Sequence, residues 1–316
     1  MKRIGGYFEL ELTKGEHYHK EALRFNTATN CFESILRSRH YEKVYIPYYT
    51  CDVLLNPIYK LGLNFEFYNI NKSLEPINLP KLKNKEAFLY TNYFGLKQEC
   101  VKRLVSKYGN QLIVDNAQAF YAEPLEEIDT FYSARKFFGV PDGAYLYTDK
   151  PLHQDFGQDY SYERVSHLLK RIDLGAEEGY QDFRKNDDLL RHQEIKIMSK
   201  LTDAILKGID YDAVKKRRRD NYQQLEKVLG EDNLIQLCFS EDCVPMVYPF
   251  LTKNSTLKQK LIENKIFVAT YWPNVFEWCK PEDWEYQLAE KTIYIPVDQR
   301  YCEEDMDRIV KMIRKK

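Results

Sequence analysis

The sequence predicts an α/β fold with a mostly parallel central sheet, flanking helices and a smaller C-terminal α+β domain. Short apolar runs alternate with helical patterns between residues 44 and 147, as in successive βαβ units. Polar side chains follow several of these runs at their C-terminal ends, where open α/β sheets bind their ligands. From Phe156 onward the chain is charged and helical, and strand patterns return only after Gly230.

The larger domain is expected to span residues 1–208, and six apolar runs in it are predicted as strands. These runs are residues 44–47, 63–68, 87–90, 111–114, 130–132 and 144–147. Helices are predicted before and between them, at residues 31–36, 53–61 and 100–108. Residues 5–12 alternate between apolar and polar, which is typical of an edge strand or an extended arm.

The smaller domain is expected to span residues 209–316 and to begin with a long helix at residues 212–229. Three strands and two helices are predicted after it, at residues 244–251, 267–270 and 292–295 and at residues 256–264 and 303–315. The basic run at residues 215–219 alternates with acidic and apolar positions along that helix, so we interpret it as a solvated face rather than a nucleic-acid patch.

Composition restricts the class of protein. A hydrophobic content of 44% and a charged content of 30% indicate a soluble globular protein. The net charge of −1 gives no overall positive charge that would attract nucleic acid or an anionic membrane. The seven cysteines form no CxxC pair, which favours a reducing cytoplasm over a disulfide framework or a metal site. No secretory signal is expected, and no run approaches the roughly 18 apolar residues that a membrane-spanning helix needs. The closest histidine pair, His17 and His19, is expected on an exposed arm.

The segment from Tyr108 to Tyr147 carries the candidate chemistry. Asp115 ends one predicted strand, and Lys136 follows the end of the next. A carboxylate for a ring nitrogen and an amine for a covalent bond are what pyridoxal 5'-phosphate requires. From the residues alone, Asp115 could instead form an Asx turn, and Lys136 could be an ordinary surface lysine.

A second candidate element lies near the N-terminus, where residues 26–30 precede a predicted helix. Thr27, Ala28 and Thr29 would place hydroxyl and backbone N–H groups at that helix start. This arrangement suits a phosphate group, but simple capping of the helix explains the same residues.

Taken in order, the motifs resemble the DegT/DnrJ/StrS-type sugar aminotransferases, which are fold-type-I pyridoxal phosphate-dependent enzymes. The likeness covers most of the chain and lies in FNTATN (25–30), VYIPYYT (44–50), NYFG (92–95), VDNAQA (114–119), SARK (133–136), IFVATYWP (266–273) and IPVDQRY (295–301). The resemblance implies that fold, with this cofactor and no metal.

The resemblance also implies a role for each matching residue. Lys136 would bind the cofactor covalently and move a proton, while Asp115 would keep the ring nitrogen protonated. Gln118 would reach the phenolic oxygen of the cofactor. The remaining implied cofactor-binding residues are Thr27, Ala28, Thr29 and Ser133 at the phosphate, with Arg135 as a further phosphate ligand, and Tyr49, Cys51, Asn92 and Tyr93 around the ring.

The chain departs from the family pattern at three of these positions. The phosphate serine commonly stands five residues before the lysine, where this chain has Phe131, whereas Ser133 stands three before it. Ala28 replaces a glycine, and Cys51 replaces an aromatic residue that stacks on the ring. Stacking would then fall to Tyr48, Tyr49 or Tyr93.

The implied reaction moves an amino group, with glutamate as donor, to a nucleotide-linked keto sugar for surface polysaccharide or related biosynthesis. A homodimer is implied too, with each site completed by the partner chain through residues 183–186 or the N-terminal arm. Arg184, Arg191 and Arg300 are candidates for holding a diphosphate. The alternative is a degenerate homologue with a structural or regulatory role, because the phosphate loop and the stacking position are altered.

Overall fold

The computed structural model describes residues 4–315, and a seven-stranded sheet forms its centre. In chain order the strands of this sheet are β1 (Leu23–Phe25), β2 (Lys43–Pro47), β3 (Asn64–Tyr68), β4 (Glu86–Thr91), β5 (Leu112–Asn116), β6 (Asp129–Ser133) and β7 (Ala144–Tyr147). Their spatial order is β1-β7-β6-β5-β4-β2-β3. The pairs from β3 through to β6 are parallel, and β7 is antiparallel to both of its neighbours. The predicted mostly parallel α/β sheet is confirmed.

Helices cover both faces of the sheet because consecutive residues of a strand point to opposite sides. Ile113 packs with the helices α1 (Ala28–Arg39) and α2 (Leu55–Lys60), whereas its neighbours in β5 pack on the other side. On that side lies the helix α3 (Gln98–Tyr108), with Val101 and Leu104 in the core. Near-continuous apolar strands are therefore explained by burial on both faces.

The remaining elements follow the sheet in sequence. Helices α4 (Ser166–Asp173) and α5 (Ala176–Arg191) form a pair, and α6 (Lys200–Lys207) and the long α7 (Tyr211–Leu229) come next. The C-terminal part contains β8 (Val247–Leu251), α8 (Leu257–Glu263), α9 (Val275–Trp278), α10 (Trp284–Lys291), β9 (Thr292–Pro296) and α11 (Glu303–Arg314). Strands β8 and β9 pair antiparallel. The domain boundary at residue 208 stays a prediction.

The expectation of a strand at residues 267–270 is wrong. In this segment only Ala269 forms a bridge, opposite Tyr294, and the chain continues without a ladder. Residues 5–12 form no strand either and lie exposed, as the alternative of an extended arm predicts. The strand at that edge of the sheet is instead β1, whose three residues carry too weak a pattern to be recognised from the sequence.

The expected exposure of His17 and His19 is also wrong, since both side chains are buried. The ring of His17 lies between the Tyr145 hydroxyl, at 2.6 Å, and the Asp203 carboxylate, at 2.8 Å. His19 contacts the Phe120 carbonyl at 2.7 Å. The base of the N-terminal arm is thus part of the folded core.

The basic run at residues 215–219 is only partly a solvated face. Lys216 and Arg217 are exposed, but Arg218 is 1% exposed and bonds to backbone carbonyls across the fold. The sequence alternation does not reveal which basic residue of the run points inward. Among residues 4–315, no helix has the length and apolar character needed to cross a membrane.

Candidate functional site

The candidate residues meet at one edge of the sheet because of its topology. Strands β4, β5 and β6 run parallel, with Thr91 opposite Asp115 and Asp115 opposite Phe131. Two antiparallel steps through β7 make β1 point the same way as β6. The residues that follow β1, β4, β5 and β6 therefore lie together, as is usual for ligand sites of open sheets.

Asp115 lies at the centre of this edge and is buried. Its Oδ1 accepts a hydrogen bond from the Ala117 N–H at 2.8 Å, while its Oδ2 has a long contact of 3.4 Å from the Thr91 hydroxyl. Burial raises the pKa of Asp115 to about 6, against the lowering effects of these bonds and of the Lys136 charge. A carboxylate held in this way is stabilised by any cation that approaches Oδ2. The backbone bond to Ala117 also shows that Asp115 makes the alternative Asx-type contact.

Lys136 stands in a tight 3₁₀ turn, Ala134–Lys136, directly after β6. The N–H groups of Phe137 and Phe138 both donate to the Ala134 carbonyl, at 3.0 and 2.9 Å, and hold this turn. The Lys136 side chain is exposed, and its Nζ lies 6.0 Å from the centre of the Tyr271 ring. Among residues 4–315 the Lys136 amine forms no salt bridge, whereas the neighbouring Arg135 is paired with Asp187, so the Lys136 amine is available for chemistry.

Gln118 is the third member of the centre and is buried. Its Oε1 accepts from the Phe94 N–H at 3.2 Å, which fixes the orientation of the amide. Its Nε2 is buried and has no hydrogen-bond partner among the described residues. A buried donor left unpaired costs about 1–3 kcal/mol, so this position favours a ligand that brings an acceptor.

The helix start beside β1 shows that Thr27 is a cap. Its hydroxyl accepts from the Asn30 N–H at 3.1 Å, so the capping interpretation is confirmed and the phosphate role stays a prediction. Ala28 and Thr29 form the first turn of α1. Ser133 ends β6 opposite Ala144. The Gly143 N–H donates to the Asn26 carbonyl at 2.7 Å, which brings these two segments together.

Several other predicted residues use their polar groups inside the protein. The Asn92 amide bonds to Gln98 and to the Lys97 N–H, within its own turn. The Tyr93 hydroxyl donates to the Tyr49 carbonyl at 2.9 Å, and the Tyr49 hydroxyl bonds to the hydroxyl of Tyr294. Their roles around a ring stay predictions, and all three side chains are buried.

Cys51 lies partly buried on the same side, after β2. Burial raises the pKa of its thiol to about 11, although the positive charge of Lys136 acts to lower it. The thiol is therefore neutral at physiological pH. Its Sγ contacts the Asp52 carboxylate at 3.5 Å.

The basic candidates for a diphosphate differ in how they are paired. Arg191 donates to Asp52 at 3.0 Å, and Arg300 makes a two-pronged contact with Asp298 at 2.7 and 2.8 Å. Arg135 is held by Asp187 at 3.1 Å. Arg184 lies on the exposed surface of α5.

Tyr271 is a further candidate site residue, which its sequence motif does not single out. Its ring faces Lys136 and packs on the Phe94 and Tyr294 rings, at 6.3 and 4.5 Å between centroids. It belongs to the C-terminal motif at residues 266–273, but an aromatic residue next to a predicted strand is an ambiguous signal. Only the approach of the C-terminal part to the sheet edge shows its place.

Comparisons with known proteins establish the fold. No family model matches the chain, and no curated protein matches it. Among solved structures, the sugar aminotransferase CalS13 from Micromonospora echinospora is similar, with a TM-score of 0.63, 14% identity, and coverage of 93% of this chain and 86% of that one. The PMP form of Spr1654 from Streptococcus pneumoniae has a TM-score of 0.66 at 15% identity, with 93% and 85% covered.

A third similar structure is PseC from Helicobacter pylori, an aminotransferase involved in the biosynthesis of pseudoaminic acid. Its TM-score is 0.60 at 12% identity, with 92% of this chain and 85% of that chain covered. At such identities the likeness concerns architecture. The predicted fold-type-I architecture is therefore confirmed, while the chemistry depends on the residues of this chain.

Proposed function

We propose that this chain is a pyridoxal phosphate-dependent aminotransferase of the DegT/DnrJ/StrS type. The observation that carries the proposal is the buried Asp115, which shares a sheet edge with Lys136, whose amine has no salt-bridge partner in the described part of the chain. Similar solved structures include sugar aminotransferases, and one of the similar proteins is recorded in both PLP and PMP forms. These likenesses support the proposal at the level of the fold.

The residues at the edge fit pyridoxal phosphate. Asp115 offers a buried carboxylate oxygen that lacks a close partner and would be stabilised by a protonated ring nitrogen. The unpaired Nε2 of Gln118 offers a donor for the phenolic oxygen. Thr27, Thr29 and Ser133 offer hydroxyl groups near a helix start for the phosphate.

When bound, pyridoxal phosphate supplies an electron sink that makes a C–H bond beside a nitrogen atom easier to break. The chain would supply the rest. Lys136 would hold the cofactor covalently, and its freed Nζ would take the α-proton of the amino donor. Asp115 would hold the proton on the ring nitrogen, and the Tyr271 ring, whose centre lies 6.0 Å from the Lys136 Nζ, would cover part of the site.

For the substrates, we propose glutamate as the amino donor and a keto sugar carried on a nucleotide as the acceptor, in surface polysaccharide or related biosynthesis. The resemblance of the ordered motifs supports this choice. The same proposal includes a cytoplasmic homodimer, in which a partner chain completes each site. Paired arginines such as Arg191 and Arg300 would have to exchange a carboxylate for a phosphate if they bind the nucleotide.

The experiment begins with the absorbance of the purified chain after addition of pyridoxal phosphate. A band at the edge of the visible range is expected in the natural chain and absent from Lys136→Ala, and glutamate should shift it. A panel of nucleotide-linked keto sugars should then restore the original band, which identifies the acceptor. The proposal is overturned if the natural chain gives no band, or if Lys136→Ala behaves identically.

The second candidate is a degenerate homologue that binds the cofactor without turnover. Cys51 at the stacking position and the cap role of Thr27 favour it. It predicts a band that depends on Lys136 but does not respond to glutamate or to any other amino donor. The same absorbance experiment therefore separates the two candidates.

A further inference from the structure

Arg218 is a charged residue enclosed within the protein. It lies on α7, is 1% exposed, and is among the largest fully buried side chains. Its Nη1 donates to the carbonyls of Pro245 and Met246, at 3.2 and 3.1 Å, and its Nε donates to Gln299 Oε1 at 3.0 Å. Its Nη2 donates to the Phe137 carbonyl at 3.3 Å.

The Phe137 carbonyl is the point where these contacts reach the candidate site. Phe137 directly follows Lys136, and its carbonyl accepts a second bond, from Gln299 Nε2, at 2.8 Å. The Arg218 guanidinium also lies 4.5 Å from the centre of the Phe137 ring. Two side chains from the C-terminal part therefore hold one peptide group beside Lys136.

A buried cation is a costly way to fill space. Removing an ion from water costs several kcal/mol even after the protein relaxes, and apolar side chains of similar volume often replace buried charges without loss. Burial lowers the pKa of Arg218 to about 10, so the guanidinium remains charged at neutral pH. The flat, five-donor guanidinium can join four acceptors at once, which the single ammonium of a lysine cannot do.

We propose that Arg218 and Gln299 are positioning residues, which clamp the Phe137 carbonyl and thereby set the direction in which Lys136 enters the site. This inference rests on the proposed function. Phe137 directly follows the three-residue turn that carries Lys136, and its N–H closes that turn on the Ala134 carbonyl, so a shift of Phe137 displaces Nζ as well. A displacement of about 1 Å in a reacting group can cost a rate factor of about 100.

The test compares Arg218→Lys with two neighbours in the same run as controls. Arg217→Lys alters an exposed side chain, and Arg219→Lys alters one that donates to the Cys243 carbonyl only. The first readout is the rate at which pyridoxal phosphate becomes attached to Lys136, trapped with borohydride and located by peptide mass spectrometry. Non-covalent affinity for the cofactor is measured separately by equilibrium dialysis with a short contact time on Lys136→Ala and on Lys136→Ala combined with Arg218→Lys.

We expect Arg218→Lys to slow attachment by about 10- to 100-fold, with affinity in the Lys136→Ala background unchanged within about threefold. The two controls should attach the cofactor at the natural rate. Gln299→Met removes one of the two donors to the carbonyl and the acceptor of Arg218 Nε, but the bond from Arg218 Nη2 to the carbonyl stays, so a smaller slowing is expected. A clamp predicts this split between the covalent step and affinity, whereas general loosening of the fold lowers both together.

The second readout is hydrogen exchange of residues 134–140 in the cofactor-free chain, which does not depend on the proposed function. Exchange there should be faster in Arg218→Lys and in Gln299→Met and unchanged in the two controls. If the natural chain never attaches the cofactor, the proposed function fails, and this exchange still decides the clamp. Natural exchange in Arg218→Lys, or equally faster exchange throughout the chain, overturns the clamp.

Discussion

Because Asp115 is buried, we predict that its carboxylate lowers the free energy of unfolding of the cofactor-free protein. Its carboxyl ionises near pH 3.8 in an unfolded chain and near pH 6 in the folded chain. Between these values the folded state binds more protons than the unfolded state, so stability falls as the pH rises through this window. Replacement by the neutral, similarly shaped amide in Asp115→Asn should remove this loss.

The magnitude follows from the difference between the two pKa values. A difference of about two pKa units corresponds to about 3 kcal/mol at about 1.4 kcal/mol per unit. We therefore expect Asp115→Asn to raise the free energy of unfolding by about 3 kcal/mol at pH 8. At pH 5 the gain should be about half as large, because the folded carboxyl is then mostly protonated.

The assay is urea denaturation of the cofactor-free chain at pH 5 and pH 8. The slope of the unfolding free energy against urea concentration is compared between variants, so that a change in stability is separated from a change in the unfolded state. Asp129→Asn is the matched control, because Asp129 is also buried on the sheet but is paired with Arg39 at 2.7 and 2.9 Å. Breaking a buried ion pair should destabilise by about 3–5 kcal/mol, which is the opposite sign.

Two results would refute the reasoning about Asp115. One is an unfolding free energy at pH 8 that is equal in the natural chain and in Asp115→Asn. The other is a gain of the same size at both pH values, which would trace the effect to packing rather than to ionisation.

In the loaded enzyme the same substitution should slow the response to glutamate by about 100-fold or more, since a preorganised charge is lost.

Three further predictions concern residues around the site and the core. Gly95→Ala should destabilise the protein by about 1–3 kcal/mol in urea titrations, because Gly95 has φ +75° and a Cβ would lie 2.8 Å from the Val244 carbonyl. Gly109→Ala is the control and should cost less, because a Cβ there meets no atom within 4 Å. Burial lowers the pKa of His19 from 6.5 to about 4. As the pH falls from 6.5 to 4, the unfolded chain binds a proton that the folded chain does not, so the free energy of unfolding should fall by about 3 kcal/mol. His19→Gln should lack that part of the pH dependence, and an unchanged pH profile would contradict the assignment. Leu225→Ala, at a fully buried position in the second half of α7, should cost about 2–5 kcal/mol in thermal or urea unfolding, while Leu234→Ala at a half-exposed position should stay within about 0.5 kcal/mol.

Local patterns in the sequence were sufficient for the sheet and for the centre of the site. Strands buried on both faces appear as short apolar runs, and β2 to β7 were all predicted within a few residues of their observed bounds. Asp115 and Lys136 could be placed because each follows such a run, and parallel strands bring their carboxyl ends to one edge.

Contacts between distant segments decided the rest. Strand β1 exists because Leu23 pairs with Leu146 far along the chain, and three residues carry no recognisable pattern by themselves. The segment at residues 267–270 is the converse case: its pattern is typical of a strand, but within it only Ala269 forms a bridge. A strand needs a partner along its length, and the sequence of one segment does not name that partner.

The burial of charged and polar residues likewise needed the tertiary structure. His17, His19 and Arg218 carry side chains that are usually exposed, and each is buried because a specific acceptor lies in a remote part of the fold. Apolar periodicity is a property of neighbours in sequence, so it determined the strands and the position of Asp115 and Lys136. The partner of a buried polar group is a property of the three-dimensional arrangement, so only the fold could show that Arg218 bonds to the carbonyl of Phe137, the residue after Lys136.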